Sequence, residues 1–268
     1  VNPALELPRS VLLALWLQGV GAGADPLRRA VAAVEGDDEP HVVTGAGTTV
    51  VPGVPDGGTL AELLSAWAAG PRAAAALLPV PGDVTGLPPE VAAEAVEAGE
   101  CVLAHAQGRA WAAVPEIIAF GSVHDTGHLV SWRVHEVPDW RPRLPGIVGT
   151  LSEAERSLRE CLRDATEALA QLDVARWRED AADTIAALRS DADPGWPLPD
   201  RLAGRAVRVL ATAVRLRTVV DLATVDDGGA VNLWQADQRS AALRHVDHAA
   251  RRAVAAATAQ AAGPPIAV

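Results

Sequence analysis

The chain contains no lysine, tyrosine or methionine, and Phe120 is its only phenylalanine. All 23 basic residues are arginine, the usage a GC-rich coding sequence gives. Without a lysine amine, three chemistries drop out: Schiff-base catalysis, the phosphate-gripping lysine of P-loops and the strand lysine of kinases. Cysteine is scarce too. Cys101 and Cys161 lie far apart, with no Cys-x-x-Cys spacing, so neither a disulfide framework nor a thiolate zinc site is expected and a reducing cytoplasm fits. No apolar run approaches the roughly 18 residues of a membrane span. The stretch "VLLALWLQGVGAGA" resembles the core of an export signal. Its apolar run is only seven residues long before Gln18, however, and Glu6 as well as Arg9 precedes it, so export is not expected.

What is present is apolar bulk and acid. With 268 residues, 49% of them hydrophobic, the chain can bury one large core or two modest ones without metals or disulfides. The net charge of −11 is uneven: residues 1–149 hold 17 acids against 8 arginines, and the remainder holds 17 against 15. Nucleic acid is therefore an unsuitable general partner, because phosphate neutralisation needs clustered positive charge.

The expected fold is α+β. Residues 1–148 read as a small mixed α/β domain with antiparallel strands. Its helices are expected over 8–18, 26–35 and 60–69, the last with a capping box at Thr59 and Glu62, and after Pro88-Pro89 up to Gly99. Two hairpins are expected, "HVVT" with "TTVV" around Gly45-Ala46-Gly47, and "CVLAHA" with "RAWAAV" around Gln107-Gly108. A further strand should run from His128 to Val137.

Beyond "VPDWRPRLPG", helical periodicity takes over, and residues 149–262 read as an antiparallel four-helix domain, followed by a flexible tail at 263–268. The first stripe is Leu151, Ala154, Leu158, Cys161, Ala165, Ala168 and Leu172. The second is Val174, Trp177, Ala181 and Leu188, the third Leu202, Ala206, Val209, Ala213, Leu216 and Val220, and the fourth Ala236, Leu243, Val246, Ala250, Val254 and Ala257.

Several groups invite chemistry. "TGAGTTVV" has Gly-x-Gly after a strand but lacks the third glycine and the following helix, so it reads as a turn and no cofactor is assigned. His124, Asp125, His128 and His135 offer imidazole and carboxylate, yet His128 and His135 differ by seven and face opposite sides of a regular strand, so no metal is expected. Glu179, Asp180 and Asp183, with Arg176 among them, read as a solvated face.

Arg201, Arg205, Arg208 and Arg215 make one stripe of a helix, suited either to an anionic ligand or to acids of the first helix such as Glu153, Glu160, Asp164 and Glu167. In "DDGGAVNLWQADQRSAALRHVDHAARRA", the side away from the core gathers Trp234, Asp237, Gln238, Ala241, Arg244, His245, His248 and Arg252. This face reads first as a surface for a protein partner or a second subunit anchored by Trp234. It reads second as a pocket wall, with His245 or His248 as general base, Asp237 beside them and Arg244 or Arg252 on an acidic substrate. The leading expectation is a cytoplasmic, non-catalytic interaction or regulatory protein, homo-oligomeric or bound to a partner through the last helix. The alternative is an enzyme or sensor for a small anionic metabolite.

Overall fold

The computed structural model describes residues 5–21, 23–122, 125–171, 195–224 and 233–261. The chain runs through α1 (Arg9–Gly19), α2 (Ala24–Glu35), β1 (Val42–Gly45), β2 (Gly58–Thr59), α3 (Leu60–Ala68) and β3 (Ala73–Leu77). A 3-10 turn then leads into α4 (Ala92–Ala98), followed by β4 (Cys101–Ala106), β5 (Arg109–Ser122), β6 (Asp125–Glu136) and α5 (Leu144–Val148). The remaining described elements are the helices α6 (Leu151–Gln171), α7 (Gly204–Thr224) and α8 (Leu233–Ala259).

Local chemistry places several of these boundaries. At α3, the Thr59 hydroxyl accepts the Glu62 N–H while the Glu62 carboxylate takes the Thr59 N–H, a reciprocal cap. Thr150 and Glu153 repeat the arrangement at the start of α6. Gly99 ends α4 at φ 71°, a left-handed value that suits glycine. Arg72 caps two helices at once, donating to the Leu17 and Val20 carbonyls at the end of α1 and to Ala68 at the end of α3.

The six strands form one mixed sheet in the order β2-β1-β6-β5-β4-β3. The antiparallel stretch from 101 to 137 forms as expected, but two features differ. "HVVT" and "TTVV" do not make a hairpin: β1 pairs antiparallel with the short β2 and parallel with β6, so the sheet is not purely antiparallel. The chain leaves β1 in a turn so close that a Cβ on Gly45 would lie 1.9 Å from the Thr49 carbonyl oxygen. The second difference is β3, an alanine strand that lacks the branched and aromatic residues by which strands are read.

Trp111, Trp132 and Val134 point to the sheet face under α1 and α3, where Trp111 stacks on Trp67 with centroids 6.2 Å apart. The alternate residues Arg133 and His135 point to the other face and meet Glu94 of α4.

In the C-terminal region, Ala154, Leu158, Cys161, Ala206, Val209, Ala213, Leu243, Val246, Ala250, Val254 and Ala257 are buried, as their stripes require. The second stripe, at 174–188, lies outside the described residues, and the region is described as mainly helical. The hydrophobic core is continuous from α1 through the sheet to α8. Residues 253–258 of α8 are buried on every side, as happens when a helix is surrounded by protein.

That burial has a polar counterpart along β3, whose only strand neighbour among the described residues is β4. The Ala76 N–H donates to the Thr258 hydroxyl at 2.9 Å, and the Gln18 amide bridges the Ala74 and Thr258 carbonyls at 3.1 and 2.6 Å. Just past the strand, the Leu78 carbonyl accepts from Arg251 at 3.3 Å. Arg251 and Thr258 are seven residues apart and so share one side of α8, which lies along the strand and meets its outward backbone groups.

Candidate functional site

Among the described residues, charged and imidazole side chains converge on the outer sheet face, where His135 and Arg133 meet Glu94 and Arg133 also meets Glu116, and in two more enclosed places. The first of these two is the seam between α8 and the loop after β3. Asp83 accepts from His248 Nδ1 at 2.7 Å and from Arg251 Nη2 at 2.9 Å. Arg251 also donates to Asp247 at 2.6 Å, and Asp247 in turn accepts from Arg217 of α7 at 3.4 Å. Burial opposes the ionisation of Asp83, yet bonds from Thr85, His248 and Arg251 outweigh it and hold the carboxyl far below its ordinary range.

An Asp-His pair is the orienting half of many acid-base sites, so the surroundings decide what this one can do. The cavity beside it, lined by Leu78, Pro79, Asp83, Thr85 and Arg251, has a volume of about 20 Å³, room for little more than a water. No substrate fits there. The geometry is that of a tie between layers.

The second cluster centres on Asp38, in the loop between α2 and β1. Arg9 grips it with two bonds of 2.5 and 2.7 Å, and His41 and His128 approach at 3.1 Å each. The indole N–H of Trp132 donates to His41 Nδ1 at 3.1 Å. That nitrogen must therefore be an acceptor, which leaves the proton on Nε2, facing Asp38. Burial keeps His41 neutral by lowering its pKa, an effect the Asp38 bond only partly offsets. At Asp38, burial opposes ionisation, but the bonds from Arg9 and His41 prevail and the pKa falls. Both ring nitrogens of His41 are used and the Asp38 carboxylate accepts from three side chains, so neither of these buried groups is open to a ligand. Nearby, Glu100 is 7% exposed and takes the Ser10 N–H of α1 at 2.7 Å; burial raises its pKa, and that bond works against the rise.

Among the described residues, those singled out in the sequence do not converge. Arg205 pairs with Glu155 of α6 at 2.7 Å, an acid outside the four named above. Glu153 is occupied with its cap, and Asp164 with Arg163. Arg208 lines a groove between α6 and α7, Arg201 is exposed and Arg215 is half-buried. Arg252 donates to the Ile147 carbonyl of α5 at 2.6 Å. Asp237, Gln238, Ala241, Arg244 and His245 are exposed on α8, while the side chain of Trp234 lies outside what is described.

Contacts of Ala203 with Ala261 and of Arg217 with Asp247 fix the antiparallel register of α7 and α8. Arg208 is then level with Ala256, about 12 Å along the helix from His248. No shared pocket for His248, Arg205 and Arg208 results. His128 and His135 bind Asp38 and Glu94 on opposite faces of β6, as their odd spacing requires, and His124 lies outside the described residues. The same holds for Arg176, Glu179, Asp180 and Asp183. Among the described residues, no three His, Cys, Asp or Glu side chains are arranged to hold a metal ion.

Sequence reasoning missed Asp38, His41 and Asp83. Asp38 sits in an acidic loop, "EGDDEP", and Asp83 in "PVPGDVTG", where nothing local separates a buried carboxylate from a solvated one. Asp38 meets His128 from 90 residues away, and Asp83 meets His248 from 165.

Both polar clusters tie distant parts of one architecture together, and that architecture has relatives. Residues 10–145 match the Rv1486c-like protein N-terminal domain, and residues 152–255 match the C-terminal domain of the same family. The chain belongs to the Rv1486c-like family. No curated protein and no solved structure matches it. In Rv1486c-like terms, the Asp83 seam joins the two family regions, with Asp83 from the first and His248 and Arg251 from the second, whereas the Asp38 cluster lies within the first except for Arg9, one residue before its start. Among the described residues of this Rv1486c-like chain, no helix is long and apolar enough to cross a membrane.

Proposed function

We propose that the chain is a non-catalytic interaction protein. The observation that carries this reading is an apolar surface in an unusual place. The β5–β6 hairpin runs past the rest of the sheet as an arm, and Ile118, Phe120 and Leu129 are 54%, 44% and 50% exposed on it. Ile118 and Leu129 stand directly opposite each other, and Phe120 lies two residues along the same face, with its ring over Gly127. Single exposed apolar residues are ordinary; three together on one projecting face suit a protein partner.

The exposed part of α8 carries Asp237, Gln238, Arg244 and His245 instead, which makes it the weaker candidate for an apolar contact. The polar groups suited to chemistry are bonded to one another, and the cavity beside the best placed of them is too small for a substrate. Free, buried Cys101 and Cys161 support a reducing compartment.

Thermal unfolding in the presence of phosphorylated and carboxylated metabolites tests the reading against the anion sensor. No saturable rise in melting temperature is expected. A rise that disappears in Arg208→Ala or Arg252→Ala overturns the proposal, because binding to the native state alone raises the midpoint.

A further inference from the structure

The arm has a feature that faces alone do not describe, an open strand edge. In β5, the Ala110 carbonyl accepts the Val137 N–H, so residues 110, 112, 114, 116, 118 and 120 exchange their backbone bonds with β6. Residues 111, 113, 115, 117, 119 and 121 therefore direct their backbone groups to the other side. The opposite strand agrees: the carbonyls of His128 and Val134, which face Ala119 and Ala113, point away from β5 to Glu39 and Ala46.

On its outer side, β5 is paired with β4 only from Arg109 to Ala113. Pro115, which has no N–H to offer, stands at the first outward position beyond that pairing. After it, the outward groups of Ile117, Ala119 and Gly121 meet no strand among the described residues. Beside this edge, a groove of about 380 Å³ separates it from Glu94 and Glu97 of α4.

Resting on the interaction reading above, we infer that the Ile117–Gly121 edge pairs with the same edge of a second copy of this chain, antiparallel about a two-fold axis through Ala119. The segment is self-complementary in three respects. First, an antiparallel pair centred on Ala119 sets Ile117 against Gly121 of the partner, so the outward groups on both strands become bonded pairs in one register. Second, the same register sets Ile118 against Phe120 of the partner, and each exposed apolar side chain gains an apolar neighbour across the junction. Third, the paired segment carries no charge, and the flanking Glu116 falls opposite Ser122 of the partner, so like charges do not meet. A long, flat, apolar edge left open invites aggregation, and symmetric closure of two copies removes it.

The test uses the full chain. The wild type should sediment as a concentration-dependent dimer. Ala119→Pro removes an outward N–H while sparing the bonds to β6, and should give a monomer with an unchanged circular dichroism spectrum. Ala119→Cys should form an intermolecular disulfide under mild oxidation, because a bonded antiparallel pair stands about 5.5 Å apart at Cα, within disulfide reach. Glu116→Cys should not, since its two copies would lie about 20 Å apart. Should Ala119→Pro fail to fold, the two cysteine variants decide alone. A dimer that persists in Ala119→Pro, or cysteines that cross-link equally at 116 and 119, overturns the edge and leaves the interaction reading standing on another surface. A wild type that is monomeric at every concentration overturns self-pairing, and the metabolite screen then decides whether the interaction reading falls with it.

Discussion

Two strand edges of this sheet face the same physical problem and meet it differently. At β3, every outward backbone group described above is answered from within the chain, by Thr258, Gln18 and Arg251, and the strand is buried beneath α8. At the arm, β5 outruns its neighbour and exposes both its edge and its apolar face. The difference lies in composition as much as position. An alanine strand lets a helix approach closely but has little to attract a partner, whereas "IIAFG" offers apolar area and no helix to cover it. One edge is built for closure within the molecule, the other for contact outside it.

The comparison is broken most severely by separating the sealed edge from its seal. A fragment of residues 149–262 retains α8 but loses β3 and α1, against which the all-round buried end of that helix packs. No cooperative thermal unfolding is expected by circular dichroism, and a sharp transition would show that the helices are self-sufficient.

Within the intact chain, Arg251→Ala removes the cation shared by Asp83, Asp247 and the Leu78 carbonyl. The cost should be about 3 kcal/mol, since two half-buried acids and the buried Leu78 carbonyl lose a charged donor, and denaturant titration measures it. Thr258→Val is smaller. It leaves the Ala76 N–H buried without an acceptor, at about 1–3 kcal/mol in the same titration.

Acid should loosen the sheet side of the molecule in a defined window. The folded-state pKa of His41 is depressed below 6.5, so the stability it confers is present above that value and is lost as pH falls below it. Asp38 adds a loss of the same sign at lower pH, below its ordinary 3.8. Glu100 acts oppositely: with its folded pKa raised above 4.5, it favours the native state at low pH and loses that contribution as pH rises. In Glu100→Gln, which lacks that opposing contribution, the melting temperature should therefore fall from pH 7 to pH 5, and this variant should be more stable than wild type at neutral pH but not near pH 4. At the arm, the smallest effect is expected: at concentrations where the chain is monomeric, Phe120→Ser or Leu129→Ser should change stability by no more than about 0.5 kcal/mol, because neither side chain is in the core.

Where the sequence speaks through period or local chemistry, it was readable. The buried stripes of α6, α7 and α8, the cap at Thr59 and the antiparallel run from Cys101 to Glu136 all declare themselves within a few residues. What was hidden depends on distance. Ala73–Leu77 is a strand only because layers on both sides bury it, and the parallel partner of β1 lies some 90 residues on. Arg205 paired with an acid of α6, as one reading of the stripe allowed, but the acid was Glu155 because helix rotation, which composition does not reveal, selects among neighbours. The Asp38 and Asp83 ties are assembled from groups that look like ordinary loop charges until the chain closes around them.

The bond between Ala76 and Thr258 spans 182 residues. At about 5–20 residues per second, a ribosome needs roughly 10–35 s to make that interval. Throughout it, the emerging sheet has no α8 against β3, and the strand waits with its outward amides bare. A Val- or Ile-rich strand in that position would be a nucleus for clumping between nascent chains; one of four alanines and a leucine is a poor one. The dull composition that hides β3 from a reader of the sequence thus also hides it from its neighbours on the polysome until the closing helix arrives.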